Sequence, residues 1–316
     1  MTQRTKVSIV GAGAVGTSTA YALLIKRIAG EIAIYDTNKA KVEAEVLDLA
    51  HGSQFTNPSN VYGGDDIEVV RNSDVVVITA GAKQQPGQTR LDLAATNVKI
   101  LHELMPKLVK LSPEAIFLLV TNPCDVLAYA AVRFSGLPAN QVFSSGTVLD
   151  SSRLRWQLAE RVGVSTESVH AMIVGEHGDS EFPLWSEAKI GPVKLSEWRV
   201  GGRVPLGLEE LDEIADNVKN AAYKVIEGKG ATNYAIGLSA ARIVEAILRD
   251  ESVILPVSSV LTDYLGISDV ALSVPTVVNR QGAAKAIPME MSANELTKLQ
   301  ASANALKAAI ASLGIN

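Results

Sequence analysis

The chain carries a single cysteine, Cys124, in 316 residues, so it cannot form an internal disulfide and shows none of the stapling of small secreted domains. Long apolar runs are missing as well. The most hydrophobic stretch, residues 115–120, is far shorter than a bilayer span and stops at Asn122-Pro123, which excludes a membrane segment there. Residues 1–6 lead straight into a strand pattern without an apolar leader, and a cytoplasmic location is expected. Basic residues are not in surplus: 29 Lys and Arg face 34 Asp and Glu, for a net charge of -5, which argues against a nucleic-acid partner. Local cationic pockets for small acidic metabolites remain compatible with that balance. Histidine is scarce too. His51, His102, His170 and His177 show no paired-histidine spacing, and one thiol makes no cluster, so no metal site is expected.

What is present is the composition of a globular protein, 47% hydrophobic and 20% charged, at a length that suits two packed domains. Residues 6–10 form a continuous β-branched run, followed by glycines and a helical pattern over 14–28. Further strands are predicted at 31–35, 67–70, 75–79, 115–120 and 142–145, with helices at 39–50, 92–111 and 125–134 between them. Strands this apolar are buried on both faces, and their alternation with helices implies right-handed crossovers in a parallel sheet. Residues 1–145 therefore read as an α/β domain with a doubly wound parallel sheet of Rossmann type. From 146 to 316 the pattern changes to an α+β domain, with helices at 150–161, 208–227, 233–248 and 294–313 and short strands around 169–174 and 253–262. The two domains are expected to share a cleft.

Gly11-Ala12-Gly13-Ala14-Val15-Gly16 opens a helix directly after the first strand. Glycines there permit a tight turn, close approach of main-chain amides to a pyrophosphate and close helix–strand packing, although a strand-to-helix turn uses glycine for sterics alone in other settings. Asp36, twenty residues past Gly16 at the end of the second strand, sharpens the reading. A carboxylate at that place binds both ribose hydroxyls of NAD and repels the additional phosphate of NADP. Thr79-Ala80-Gly81 and Val120-Thr121-Asn122 end two later strands, where the nicotinamide half belongs.

His177 stands in Gly175-Glu176-His177-Gly178-Asp179-Ser180, on a tight loop beyond an apolar run. Upstream, Asp150-Ser151-Ser152-Arg153 supplies a carboxylate able to hold the imidazole in one tautomer and a guanidinium able to grip a substrate carboxylate. Asp150 and Arg153, three apart, share a helix face, whereas Arg155 points elsewhere. A polar Pro-Gly turn, Lys83-Gln84-Gln85-Pro86-Gly87-Gln88-Thr89-Arg90, precedes the long third helix.

These segments, together with Lys229-Gly230-Ala231-Thr232, resemble in order and spacing the L-lactate dehydrogenases of the lactate/malate dehydrogenase family over nearly the whole chain. The resemblance implies that Arg90, carried on a closing loop, polarises the ketone of pyruvate, Arg153 binds its carboxylate, and His177, oriented by Asp150, supplies the proton. Asn122 and Thr232 are implied as pocket walls, and Val15, Lys41, Ala82 and Asn97 complete the implied NAD-binding set. Gln84 bears on substrate choice, because malate dehydrogenases resemble this loop but carry an arginine there. A neutral amide leaves the second carboxylate of oxaloacetate unpaired, so pyruvate is favoured, while a malate-type enzyme or one for a longer 2-hydroxy acid stays as the alternative. Arg155 and His170 resemble the positions by which bacterial members bind fructose 1,6-bisphosphate between subunits, implying an allosterically activated homotetramer in the fermentation of glycolytic pyruvate to lactate.

Overall fold

The computed structural model describes residues 5–56, 59–82, 89–199 and 206–315. Strands β1 (Lys6–Val10), β2 (Glu31–Tyr35), β3 (Asn60–Gly64), β4 (Val75–Ile78), β5 (Ile116–Leu119) and β6 (Val142–Ser144) alternate with helices α1 (Ala14–Lys26), α2 (Lys39–Gly52), α3 (Arg90–Leu111) and α4 (Cys124–Ser135). All six strands run parallel in the order β6-β5-β4-β1-β2-β3, so the strand order reverses between β1 and β4. A crevice at the carboxyl ends of those two strands follows from that reversal.

The apolar runs are buried on both faces, as their composition requires. In β4, Val76 and Ile78 pack with Met105, Leu108 and Leu127, while Val75 and Val77 pack on the opposite side with Leu23, Ile243 and Val244. One expected strand is not there. Residues 67–70 wind into a 3-10 turn capped by the Asp66 side chain, and the strand at that edge of the sheet is β3. It escaped notice because Gly63 and Gly64 dilute its pattern; a Cβ on Gly63 would sit 2.1 Å from the carbonyl oxygen of Ile34 on the neighbouring strand.

Beyond β6 come α5 (Val148–Val162), β7 (Val169–His170), β8 (Ile173–Val174), β9 (Phe182–Pro183), β10 (Lys189–Ile190) and β11 (Val193–Lys194). Helices α6 (Leu208–Lys229) and α7 (Tyr234–Leu248), strands β12 (Val253–Leu255), β13 (Ser258–Val260), β14 (Ala271–Ser273), β15 (Thr276–Asn279) and β16 (Gly282–Ala286), and helix α8 (Ala293–Ser312) finish the chain. The strand expected over 253–262 is thus two, parted around Pro256, and the large sheet is extended by β13, antiparallel to β6, and then by β14, antiparallel to β13. A separate core under α5 and α6 gathers Leu154, Leu158, Val169, Ile190, Ile214 and Val218. Among the described residues no helix is long and apolar enough to cross a membrane.

Candidate active site

A cleft of about 780 Å³ opens at the switch between β1 and β4. Gly11, Gly13, Val15, Asp36, Lys41, Thr79, Ala80, Gly81, Ala82, Val120, Asn122 and Thr232, twelve of the residues expected to bind cofactor or substrate, line it. Each motif glycine has its own steric reason. A Cβ on Gly11, whose φ is +110°, would lie 2.8 Å from the Ala80 nitrogen, and one on Gly16 would lie 1.9 Å from the Gly11 carbonyl oxygen. Gly16 therefore packs α1 on the turn and does not face the cleft. Gly13 meets nothing within 4 Å, so its bare main chain is open to an incoming group at the N-cap of α1.

Asp36 is held by main-chain amides: Oδ2 accepts from Ala12 at 2.7 Å and Oδ1 from Asn38 at 2.9 Å. Behind the opposite wall Asn97, 2% exposed, accepts from the Ala82 amide at 2.7 Å and donates to the Asn122 carbonyl at 2.8 Å. It shapes the wall without lining it. An open glycine edge at a helix N-terminus, a fixed carboxylate at the end of β2 and a narrow hydrogen-bonded wall fit a dinucleotide.

The residues expected to transfer a proton meet next to this cleft, where α5 is fixed to β8. Thr147 Oγ1 donates to the Ile173 carbonyl at 2.6 Å and Ser151 Oγ accepts from the Ile173 amide at 2.8 Å, which pins the start of α5 to β8. Gly175, at φ +98°, turns the chain out of β8, and the loop brings His177 Nδ1 to 2.6 Å from Asp150 Oδ2. Arg153 Nη1 donates to the other oxygen of Asp150 at 2.6 Å. Asp150 is 1% exposed, whereas the side chains of His177 and Arg153 keep 26% and 17% of their surface.

Burial opposes charge on His177, but the Asp150 carboxylate outweighs it by its field and hydrogen bond and lifts the imidazole to about 9. Asp150 is burdened by the same burial, yet His177 and Arg153 hold it below the usual carboxylate range. At neutral pH the His177 imidazole therefore favours its charged form.

His177, Asp150 and Arg153 are not among the residues lining the large cleft. The connection runs through α4: three residues past Asn122, Asp125 Oδ2 accepts the His177 amide at 2.7 Å. Composition and spacing gave no sign of this contact, since an acidic residue in the first turn of a helix is ordinary. Glu181 was missed as well. Its Oε2 lies 4.0 Å from His177 Nδ1, and burial, then the Asp150 charge, push its carboxyl up. Asp150, His177 and Glu181 each offer a ligand atom within 4.8 Å of the others, but the short Nδ1–Oδ2 bond engages two of those atoms with each other.

Arg90 supplies the first residue of α3, because Thr89 and Asp92 form a reciprocal cap that starts the helix two residues before its expected beginning. Its side chain, like Gln84 and the rest of 83–88, lies outside what the structure describes. Arg155 and His170 fall apart from the His177 cluster. Arg155 Nε donates to the Ala171 carbonyl at 2.9 Å, and His170, the preceding residue, is exposed on β7.

Two family profiles divide the chain. The lactate/malate dehydrogenase NAD-binding domain matches residues 5–144, and the lactate/malate dehydrogenase alpha/beta C-terminal domain matches residues 147–313. An L-lactate dehydrogenase of Bifidobacterium animalis subsp. lactis is 52% identical over 311 residues, 98% of this chain and 97% of its own length. One from Clostridium botulinum is 46% identical over 303 residues, 96% and 95% of the two chains. The crystal structure of the minor L-lactate dehydrogenase of Enterococcus mundtii in a ligands-bound form superposes with a TM-score of 0.93 at 39% identity, covering 98% of each chain. With both domain profiles, the relatives and the fold in agreement, the chain belongs to the lactate/malate dehydrogenase family and uses NAD as its cofactor.

Proposed function

We propose that the chain catalyses the reversible reduction of pyruvate to L-lactate with NADH. The observation that carries this reading is one buried carboxylate, Asp150, hydrogen-bonded at 2.6 Å both to the His177 imidazole and to the Arg153 guanidinium. Its relatives in Bifidobacterium and Clostridium, named L-lactate dehydrogenase, support it.

Gly11, Gly13, Val15 and the first turn of α1 would hold the pyrophosphate, Asp36 the adenosine ribose, Lys41 the rim, and Thr79 to Ala82, Val120 and Asn122 the nicotinamide half, with Gly16 and Asn97 as supports. Bound NADH supplies a hydride to the ketone carbon. Arg153 takes the substrate carboxylate with the donors that Asp150 leaves free, since a guanidinium has five. Arg90 polarises the ketone oxygen, and His177 Nε2 delivers its proton to the forming alkoxide while Asp150 stabilises the imidazolium. In lactate oxidation the neutral imidazole takes that proton back. Asn122 and Thr232 bound the pocket, and Gln84, being neutral, leaves the second carboxylate of oxaloacetate without a partner.

The finer reading concerns regulation. Residues 1–145 serve the cofactor and 146–316 the substrate, in a cytoplasmic homotetramer activated by fructose 1,6-bisphosphate at Arg155 and His170. His170, Lys189 and Lys194 stand opposite one another across β7, β10 and β11, a register that puts three basic side chains on one face of that sheet, and Arg155 bonds the carbonyl of the residue after His170. Burial lowers the Arg155 pKa, so a phosphate beside it is favourable.

A panel of 2-oxo acids with NADH, run with and without the bisphosphate at low pyruvate, tests both levels. Faster turnover of oxaloacetate than of pyruvate would discard the substrate assignment. Unchanged activity and unchanged subunit association on adding the bisphosphate at about pH 6 to 7 would discard the regulation.

A further inference from the structure

We infer that Asp125 is a positioning residue for proton transfer: by accepting the main-chain N–H of His177, it ties the imidazole to the turn that places Asn122 in the wall of the cofactor cleft. The inference rests on the proposed role of His177.

Asp125 is 2% exposed in the first turn of α4. One oxygen, Oδ2, takes the His177 amide at 2.7 Å, and the other, Oδ1, is buried without a hydrogen-bond partner among the described residues. The hydroxyl of Ser258 faces this carboxylate closely enough to favour its ionised form, short of full hydrogen-bond geometry. Ser258 and Ser273, partners across β13 and β14, likewise leave their buried hydroxyls unpaired. Burying a carboxylate works against stability unless its oxygens are bonded, and the one well-formed bond the Asp125 carboxylate makes among the described residues is to the His177 amide. His177 is held at its ring by Asp150 and at its main chain by Asp125, from two different helices.

The two anchors close a continuous path between the sites. The Ala82 amide donates to Asn97, Asn97 donates to the Asn122 carbonyl, and α4 begins two residues later. From Asp125 the path continues through His177 to Asp150 and Arg153. A shift of the nicotinamide wall and a shift of the imidazole are therefore coupled through a short rigid segment. Hydride and proton must reach the same substrate, so their relative placement is what such a tie controls.

Asp125 also adds to the field on His177. Facing the imidazole are Asp150 from α5, Asp125 from α4, and Glu181 from its own loop, with Arg153 on the far oxygen of Asp150, Glu176 beside Asp125, and Lys219 of α6 near Glu181. Burial pushes the Asp125 carboxyl up to about 6, so it is ionised where the imidazolium begins to lose its proton.

The test compares Asp125→Asn and Asp125→Ala in the full chain, with pyruvate reduction followed between about pH 5.5 and 9.5 and the His177 ring titrated by NMR. The amide oxygen of the introduced asparagine accepts the same N–H, so Asp125→Asn should keep kcat near pH 7 within about threefold while lowering the imidazole titration. Asp125→Ala should lose kcat by about tenfold or more, with NADH affinity held within about threefold. Parent-like kcat and an unmoved ring titration in both variants would overturn the inference. So would equal losses of kcat, NADH binding and melting temperature in both, the mark of a merely structural aspartate. The NMR titration needs no turnover: absence of pyruvate reduction in the unsubstituted chain would instead strike the proposed reaction.

Discussion

The cofactor cleft and the His177 cluster lie on either side of the first turn of α4, yet they are made of different materials. In the cleft, shape comes from missing side chains and from main-chain amides, and its one motif carboxylate, Asp36, is fixed by two of those amides. Around His177 the shape comes from charge: Asp125, Asp150, Arg153 and Glu181 each set the protonation of the imidazole or of one another. The first is a mould and breaks when an atom is added. The second is a balance and breaks when a charge is removed.

The largest effect should come from the balance. His177→Asn keeps a polar side chain but removes the proton donor, so pyruvate reduction should fall by about 10²- to 10⁴-fold. NADH binding, measured by fluorescence titration, should stay near the parent value because no cofactor-lining residue has changed. Near-full turnover would reject the assigned role and, with it, the distinction between the two regions.

Next comes the mould. In Gly16→Ala the new methyl meets main chain of Gly11, not a flexible side chain, so α1 must shift off the turn. NADH affinity should drop by about 10- to 100-fold and the melting temperature should fall with it. Gly13→Ala makes a contrast within the same motif: it has open space and an ordinary extended backbone, so the fold should be untouched while the methyl occupies ground meant for the cofactor. Equal melting losses in the two variants would show that the glycines serve packing alone.

These two regions were also unequally legible. The mould is local: strand, glycines, helix and Asp36 fall within one stretch, and their spacing alone announces a dinucleotide turn. The balance is assembled from distant segments. Asp150 and Arg153 are readable as helix neighbours, but that His177 joins them depends on how α5 is pinned to β8, and for that the family resemblance was needed. Asp125 stayed silent because its partner is a main-chain amide 52 residues away, which no pattern of side chains encodes. β3 was missed for the opposite reason, since Gly63 serves a close approach to β2, and the Gly63-Gly64 pair looks like a turn signal.

A loss of affinity of similar size, without the fall in melting temperature expected for Gly16→Ala, should come from Asp36→Ser. The serine keeps polarity but gives up a charge-assisted contact to ribose, which at about 1.5–3 kcal/mol lowers NADH affinity by roughly 10- to 100-fold. Discrimination against NADPH should narrow at the same time, because the repelling charge is gone. If the preference for NADH over NADPH stays as wide as in the parent, some other group sets it.

The smallest effect separates the regions by pH. The imidazole pKa is raised, to about 9, so the charged form is complete at neutral pH and is lost as pH rises through that value. Reduction consumes the charged form, so its rate should be flat from neutrality and fall by about twofold at the midpoint near pH 9, while lactate oxidation climbs over the same interval. None of the carboxylates that raise the His177 pKa, Asp150, Glu181 or Asp125, lines the cleft. NADH affinity measured across the interval should therefore stay level while the two rates cross. An affinity that bends together with the rates would mean that the imidazole charge is felt by the cofactor itself, and that the tie through Asp125 carries electrostatics as well as position.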